Sequence, residues 1–220
     1  MDFSSLVHDQ NLLRAIKDQE WEDPTPVQEQ VIPLAQANQD LMAQAQTGTG
    51  KTGAFALPII GKLEKSRRIQ CLVLVPTREL AMQVAGDFAE LAKYSEVRSI
   101  PIYGGQSINV QTDKLRKGVE IVVGTPGRIM DLMRRGELSF EGVRFLVLDE
   151  ADRMLDMGFI DDIEWILQSV PKNRQTMLFS ATLPDAIKEL ARRYMRNPKE
   201  VIKPGLAHGP PGATGLHKRG

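Results

Sequence analysis

The sequence predicts an α/β fold: a mostly parallel central sheet with helices packed on both of its faces. Three observations lead to that expectation. Short apolar runs recur along the 220 residues with helix-patterned stretches between them, the alternation that a parallel sheet requires. The runs do not alternate apolar with polar residues, so both faces of each strand are expected to be covered. Five of the runs end in small, charged or hydroxyl residues, and in open α/β sheets ligands gather at that carboxyl edge.

Taken in order, strands are predicted at Leu41 to Ala45, Cys71 to Val75, Ser99 to Tyr103, Glu120 to Val123, Phe145 to Leu148 and Thr176 to Phe179. Helices are clearest at Glu79 to Leu91 and Phe159 to Val170, where apolar residues fall at three- and four-residue spacing and form one buried stripe. The strand ends carry Gln46-Thr47-Gly48-Thr49-Gly50-Lys51-Thr52, Pro76-Thr77-Arg78, Gly124-Thr125-Pro126-Gly127-Arg128, Asp149-Glu150-Ala151-Asp152 and Ser180-Ala181-Thr182. One continuous functional edge follows. Residues 1–203 are expected to form a single domain. From Pro204 to Gly220 the chain turns to Gly, Pro and isolated polar residues, a composition that cannot bury a core and reads as a flexible tail or a truncated interdomain linker.

Lys plus Arg and Asp plus Glu number 28 each, so the whole-molecule field cannot draw in a polyanion and any nucleic-acid contact must be local. Cys71 is the only cysteine. No internal disulfide is possible, and it reads as a small buried apolar residue in its strand. The start of the chain lacks the charged and apolar segments of a signal peptide, and no run reaches the ~20 apolar residues of a membrane span. A soluble, cytoplasmic protein is expected. His8, His208 and His217 have no ligand spacing with one another or with Cys71, so no metal site is expected beyond a nucleotide-bound ion.

Ala45 to Thr52 reads A-x-x-x-x-G-K-T, the phosphate-loop pattern with Ala in place of the first Gly. Gly48 and Gly50 allow backbone angles that turn N–H groups toward phosphate oxygens, and a helix starting near Lys51 adds its positive end. Lys51 is expected to neutralise the β and γ phosphates of ATP, and the Thr52 hydroxyl to ligate Mg²⁺. Asp149-Glu150 at another strand end supplies what hydrolysis still lacks: Asp149 to hold the magnesium directly or through water, Glu150 to orient and deprotonate the attacking water. Acidic residues also favour a helix start by themselves, and a helix begins near Ala151.

Asp149-Glu150-Ala151-Asp152 spells the name motif of the DEAD-box helicases, and the rest of the chain resembles the first of that family's two RecA-like domains, a P-loop NTPase fold. Ala45 to Thr52 is similar to its first motif, Pro76 to Ala81 to the next, Gly104-Gly105 to the paired-glycine motif, Thr125 to Arg128 to the one after, and Ser180 to Thr182 to the third numbered motif. Upstream, Trp21 to Gln28, with Thr25 inside it, resembles the adenine-reading Q motif, and Phe3 stands at the place of its isolated aromatic. The resemblance runs from Phe3 to about Lys203. Two positions depart from the pattern: Glu20 where many members have Gly, and Trp21 for the commoner Phe.

A side-chain amide at Gln28 offers one donor and one acceptor, the match for adenine N6 and N7, and it rejects guanine. Trp21 either stacks on the base or anchors the N-terminal helix. The resemblance implies that Pro76-Thr77-Arg78, Gly104-Gly105 and Thr125-Pro126-Gly127-Arg128 grip the RNA sugar-phosphate backbone, a contact that carries no base sequence and weakens as salt rises. Locally, Thr77 and Thr125 also read as helix caps, Gly104-Gly105 as a turn and Arg128 as a surface charge. Ser180 and Thr182 resemble residues that hydrogen-bond Asp152 and couple nucleotide state to unwinding. Thr182-Leu183-Pro184-Asp185 additionally reads as a helix N-cap. Arg67-Arg68, Arg134-Arg135 and Arg192-Arg193 are read as solvated turns or helix faces.

Nothing after Thr182 resembles the family's remaining motifs, which belong to a second RecA-like domain and include an arginine finger worth about 10³ to 10⁵ in rate for related reactions. The fragment, expected to be monomeric, should then bind ATP and RNA yet hydrolyse poorly until that domain is supplied. Two other readings remain open at this point: a nucleotide-dependent binding module that never turns over, and another P-loop ATPase such as a DNA helicase or transporter motor.

Overall fold

The computed structural model describes residues 1–202. Among these the chain runs α1 (Phe3–Leu6), α2 (Gln10–Asp18), α3 (Pro26–Gln36), β1 (Leu41–Gln44), α4 (Lys51–Ile60), β2 (Cys71–Leu74), α5 (Arg78–Leu91), β3 (Ser99–Ile102), α6 (Ile108–Lys117), β4 (Ile121–Gly124) and α7 (Pro126–Arg134). It continues through β5 (Phe145–Leu148), α8 (Ala151–Asp156), α9 (Ile160–Leu167), β6 (Gln175–Ser180), α10 (Asp185–Tyr194) and β7 (Lys199–Val201). All six predicted strands form, within a residue or so of their expected ends. The segment from Pro204 onward, read as tail or linker, lies outside the described residues.

The strands make one seven-stranded sheet in the order β3-β4-β2-β5-β6-β1-β7, and every pairing is parallel. Its two faces bury separate apolar layers, as the uniform strand hydrophobicity requires. Ala43, Val73, Val147 and Phe179 face a layer built with α1 to α5, centred on Phe55 with ring centroids 5.1 Å from Phe179 and 5.9 Å from Phe88. Met42, Leu72, Leu146 and Leu178 face the other layer, covered by α7 to α10 with Ile108 and Leu115 of α6 packed against it. Cys71 is fully buried, and burial pushes its thiol far above the ordinary range, so it is an inert core residue. No helix among the described residues is long and apolar enough to cross a membrane.

Strand β7 has no counterpart among the predicted strands. Lys199-Glu200-Val201 offers a single buried side chain, too little for an apolar pattern. Its place is fixed by a residue far away in sequence: the buried Asp40 carboxylate accepts the Thr176 N–H at 2.9 Å and the Arg196 N–H at 2.7 Å, and the Asp40 carbonyl accepts the Lys199 N–H at 2.9 Å. Asp40 thus ties the starts of β1, β6 and β7 together, through its side chain to Thr176 and Arg196 and its backbone carbonyl to Lys199. Replacing it leaves two backbone donors without acceptors, each worth about 1–3 kcal/mol. Asp40→Ala is therefore expected to destabilise the domain by about 2–4 kcal/mol, read by denaturant titration.

Glu20, the first departure from the family pattern, sits at φ 59°. That is the left-handed region which glycine enters without steric cost, so the glycine common at this position answers a backbone requirement that Glu20 meets under strain.

Candidate active site along the sheet edge

The strand order distributes the singled-out loops along the carboxyl edge in a way their sequence order does not reveal. Gly104-Gly105 follow β3, Thr125 to Arg128 follow β4 and Pro76 to Arg78 follow β2, so these three loops share one half of the edge. Asp149 to Asp152 follow β5, Ser180 to Thr182 follow β6 and Gln46 to Thr52 follow β1, filling the other half.

On that second half, Gly48 at φ 85° and Gly50 at φ 80° hold the loop in the left-handed region, and α4 starts at Lys51. Gln46, Thr47 and Gly48 are exposed, and the Thr49 hydroxyl donates to the Gln46 carbonyl at 2.6 Å, closing the loop on itself. A side chain at Gly48 would meet nothing within 4 Å, so the loop lies open toward solvent on that side. The N–H groups of the first turn of α4 have no intrahelical acceptors, which makes this end an anion seat.

The Lys51 ammonium reaches across β6 to the acidic strand end, 2.9 Å from Asp149 Oδ1 and 3.5 Å from Glu150 Oε2. Lys51 and Asp149 are both buried, Asp149 completely. Neither Asp149 oxygen accepts a well-formed hydrogen bond. Burial pushes the Asp149 carboxyl above the ordinary range, against the opposing pull of the Lys51 charge. A buried carboxylate held by one ammonium, beside a half-buried Thr52, would suit hard oxygen coordination of Mg²⁺. Glu150 occupies φ 52°, ψ 51° as the residue before α8, a conformation that costs a non-glycine residue about 1–3 kcal/mol. That strain aims its half-buried carboxylate back at the same ammonium.

The Gln28 region meets this loop from behind. Thr25 and Gln28 form a reciprocal capping box at the start of α3, with the Thr25 N–H donating to Gln28 Oε1 at 3.0 Å, and Gln28 Nε2 donates to the Gly50 carbonyl at 3.1 Å. A methyl group at Gly50 would come within 2.8 Å of Gln28 Nε2, and one at Gly53 within 2.8 Å of that atom and 3.0 Å of the Trp21 ring. Gly53, which the motif reading passed over, thus makes room for Trp21. That ring is half-buried, 6.2 Å from Phe3 between centroids, and borders a cavity of about 580 Å³ shared with Leu13, Ile16 and Lys17. It anchors the N-terminal segment through Phe3, Leu13 and Ile16.

Asp152 is bound to the loop after β6 by three hydrogen bonds. Its N–H donates to Ser180 Oγ at 3.0 Å, and its Oδ2 accepts from the Thr182 N–H at 3.1 Å and the Thr182 hydroxyl at 2.9 Å. Burial acts to raise the Asp152 carboxyl, but the hydrogen bonds from Thr182 and Ser180 outweigh it and hold the group below its usual range. Thr182 does not cap α10, contrary to the expectation from its spacing: the cap position is Pro184, with no side-chain bond. The hydroxyl is already engaged by Asp152.

On the other half of the edge, Thr77 caps α5 by accepting the Leu80 N–H at 3.3 Å, whereas Thr125 precedes α7 without a side-chain cap bond. Exposed Arg78 stacks over the Tyr103 ring at 5.0 Å, and Gly105 turns at φ 85° beside it. Gly104 and Gly127 are exposed, with nothing within 4 Å of where a side chain would begin. Pro76 and Pro126 are buried and set the loop directions. Arg128 is not the free surface charge its position suggested. It donates to the Gln106 carbonyl at 3.0 Å and to Gln111 Oε1 at 3.2 Å, and the buried Gln111 in turn donates to the Tyr103 carbonyl at 2.9 Å. Gln111 links the two loops and carries no local signal in the sequence, because its partners lie across the edge. Of the remaining arginine pairs, Arg192 and Arg193 are solvated and paired with Glu189, while Arg134 stacks over the Trp165 ring at 4.9 Å.

A DEAD/DEAH box helicase family profile matches residues 25–190, which holds every loop just described except Trp21. The chain belongs to the DEAD/DEAH box helicase family. It is 50% identical over 202 residues to a DEAD-box ATP-dependent RNA helicase CshA of Geobacillus kaustophilus, covering 91% of this chain and 43% of that protein. An ATP-dependent RNA helicase CshA of Listeria monocytogenes is 50% identical over 200 residues, covering 90% and 38%. The fold matches the crystal structure of a DEAD box protein from Methanococcus jannaschii with a TM-score of 0.85 at 44% identity, over 88% of this chain and 53% of that one. It also matches a hypothetical ATP-dependent RNA helicase from Sulfolobus tokodaii, with a TM-score of 0.82 at 36% identity, over 89% and 57%. The expected RecA-like DEAD-box fold is thereby established. The chain spans about two fifths of the length of the curated relatives it matches.

Proposed function

We propose that residues 1–203 are the ATP-binding RecA-like domain of an ATP-dependent RNA helicase, acting in the cytoplasm and requiring a second RecA-like domain for efficient turnover. The observation that carries this reading is the Lys51 ammonium poised 2.9 Å from a fully buried, donor-poor Asp149 at the mouth of a left-handed glycine loop. Lys51 compensates the carboxylate in the structure. With nucleotide present, Lys51 turns to the β and γ phosphates while the N–H groups of Gly48 to Thr52 surround them. Thr52 and Asp149 would hold Mg²⁺, which would supply positive charge to offset the triphosphate. Glu150 orients the attacking water and accepts its proton.

Gln28 spends one N–H on Gly50 and one lone pair on Thr25, which leaves one donor and one acceptor for the adenine edge. A guanine mismatch at such a pair costs about 1–3 kcal/mol, so ATP is expected to bind this chain roughly tenfold or more tighter than GTP by calorimetry. Equal affinities would remove Gln28 as the reader of the base.

Pro76 to Arg78, Gly104-Gly105 and Thr125 to Arg128 carry the RNA sugar-phosphate backbone without regard to sequence, on the half of the edge away from the nucleotide. Asp152, Ser180 and Thr182, which follow β5 and β6 between the phosphate loop and the loop after β2, transmit nucleotide state. The experiment that tests the whole assignment supplies the missing domain by fusion or in trans and measures phosphate release. RNA stimulation supports the helicase reading. Tight nucleotide binding with no turnover under any RNA condition assigns the chain to a binding module instead.

A further inference from the structure

We propose that a groove of about 490 Å³ at the opposite, amino-terminal edge of the sheet is a second phosphate-binding site, occupied by the backbone of an RNA strand that extends past the loop edge. The groove lies between the end of α9 and the end of α10, with Leu167, Val170 and Met195 as its apolar floor and Lys172, Arg174 and Arg196 as its charges. This rests on the RNA reading given above.

Arg174 is the unusual member. It is 8% exposed, and its guanidinium donates only to neutral acceptors: Thr176 Oγ1 at 3.0 Å, the Pro171 carbonyl at 3.2 Å, the Val170 carbonyl at 3.4 Å and the Tyr194 carbonyl at 2.9 Å. These bonds fix the fork rigidly but do not neutralise it. Among the described residues neither Arg174, Lys172 nor Arg196 forms an ion pair, although Arg196 also donates to the Arg174 carbonyl at 2.9 Å. The nearby acid is Asp40, whose carboxylate is buried and already accepts two backbone N–H groups. Arg193 at the rim is matched by Glu189 and Glu164. Residues 203–220 contain no Asp or Glu. Buried Arg174 faces the buried Asp40 carboxylate, while Lys172 and Arg196 are exposed and form no ion pair among the described residues, so the open groove carries a net positive charge. The Arg174 N–H groups are largely spent on these protein acceptors, so the mobile Lys172 and Arg196 beside it are the donors offered to phosphodiester oxygens.

The site stands at the far end of the strands from the phosphate loop, so it predicts a length dependence. The full chain is titrated with a short single-stranded RNA that the loop edge alone accommodates, and with one several times longer. Lys172→Glu combined with Arg196→Glu alters two exposed side chains and leaves buried Arg174 in place. The expected result is a drop of roughly tenfold in affinity for the long RNA, a log-log salt slope flatter by about 1.4, and no change for the short one. Arg192→Ala, which removes an exposed arginine already paired with Glu189, should change neither. Unchanged long-RNA affinity and salt slope in the double variant, with native thermal stability, would overturn the proposal. So would an Asp/Glu-rich peptide that binds the wild-type groove better than RNA, or a wild-type chain that fails to bind the long strand. If the short RNA does not bind but the long one does and the double variant loses it, the groove stands and the loop-edge assignment fails.

Discussion

Replacing Lys51 with alanine lowers ATP affinity by about 10² to 10⁴, the loss expected when charge-assisted contacts to two phosphates, each worth about 1.5–3 kcal/mol, are removed. The same substitution also weakens the empty protein. Lys51 is the only cation within ion-pair distance of Asp149 among the described residues, and Asp149 has no exposure to water. Removing one partner of a buried pair costs about 3–5 kcal/mol, less whatever Asp149 regains by taking up a proton. The two effects separate in a double-mutant cycle. Lys51→Ala with Asp149→Asn restores most of the lost stability, because the orphaned charge is gone, and restores none of the nucleotide binding. Calorimetry and denaturant titration on the four proteins read both quantities. Full ATP affinity in a folded Lys51→Ala protein would contradict the role given to the loop.

Glu150→Gln has the opposite profile. The amide keeps the shape of the side chain, and the ammonium retains Asp149 as its closer partner, so nucleotide binding stays within about threefold, a change of less than about 0.7 kcal/mol. Removal of a general base costs about 10² to 10⁴ in rate, so RNA-stimulated phosphate release, measured with the second domain supplied, should fall by that factor. A rate within a few fold of wild type would move the base elsewhere. The strained φ of 52° at this position strengthens the expectation, since such conformations persist where the surroundings over-determine them.

Much of this architecture was legible because local signals were strong. Fully buried parallel strands such as Cys71–Leu74 and Phe145–Leu148 are uniform apolar runs, and Gly48, Gly50 and Lys51 announce a strand-to-helix loop by residue type alone. What stayed hidden was decided by contacts between residues distant in sequence. Strand β7 depends on Asp40, more than a hundred and fifty residues earlier, and not on any apolar pattern of its own. The linkage of Arg128 to Tyr103 through Gln111 spans two loops, and no residue in it is unusual when read alone. Thr182 has the spacing of a cap, but α10 starts at Asp185 with Pro184 in the cap position, and the Thr182 hydroxyl donates to Asp152 instead. The segregation of the loops into two halves of the edge follows from the strand order, which no run of residues encodes locally.

The most direct test is a crystal structure of the chain grown with a non-hydrolysable ATP analogue and magnesium. The account predicts the triphosphate over the N–H groups of Gly48 to Thr52, Lys51 withdrawn from Asp149 toward the β and γ phosphates, and the metal ion on the Thr52 and Asp149 side. A ligand bound elsewhere, with the Lys51 to Asp149 pair still closed at about its apo separation of 2.9 Å, would contradict it.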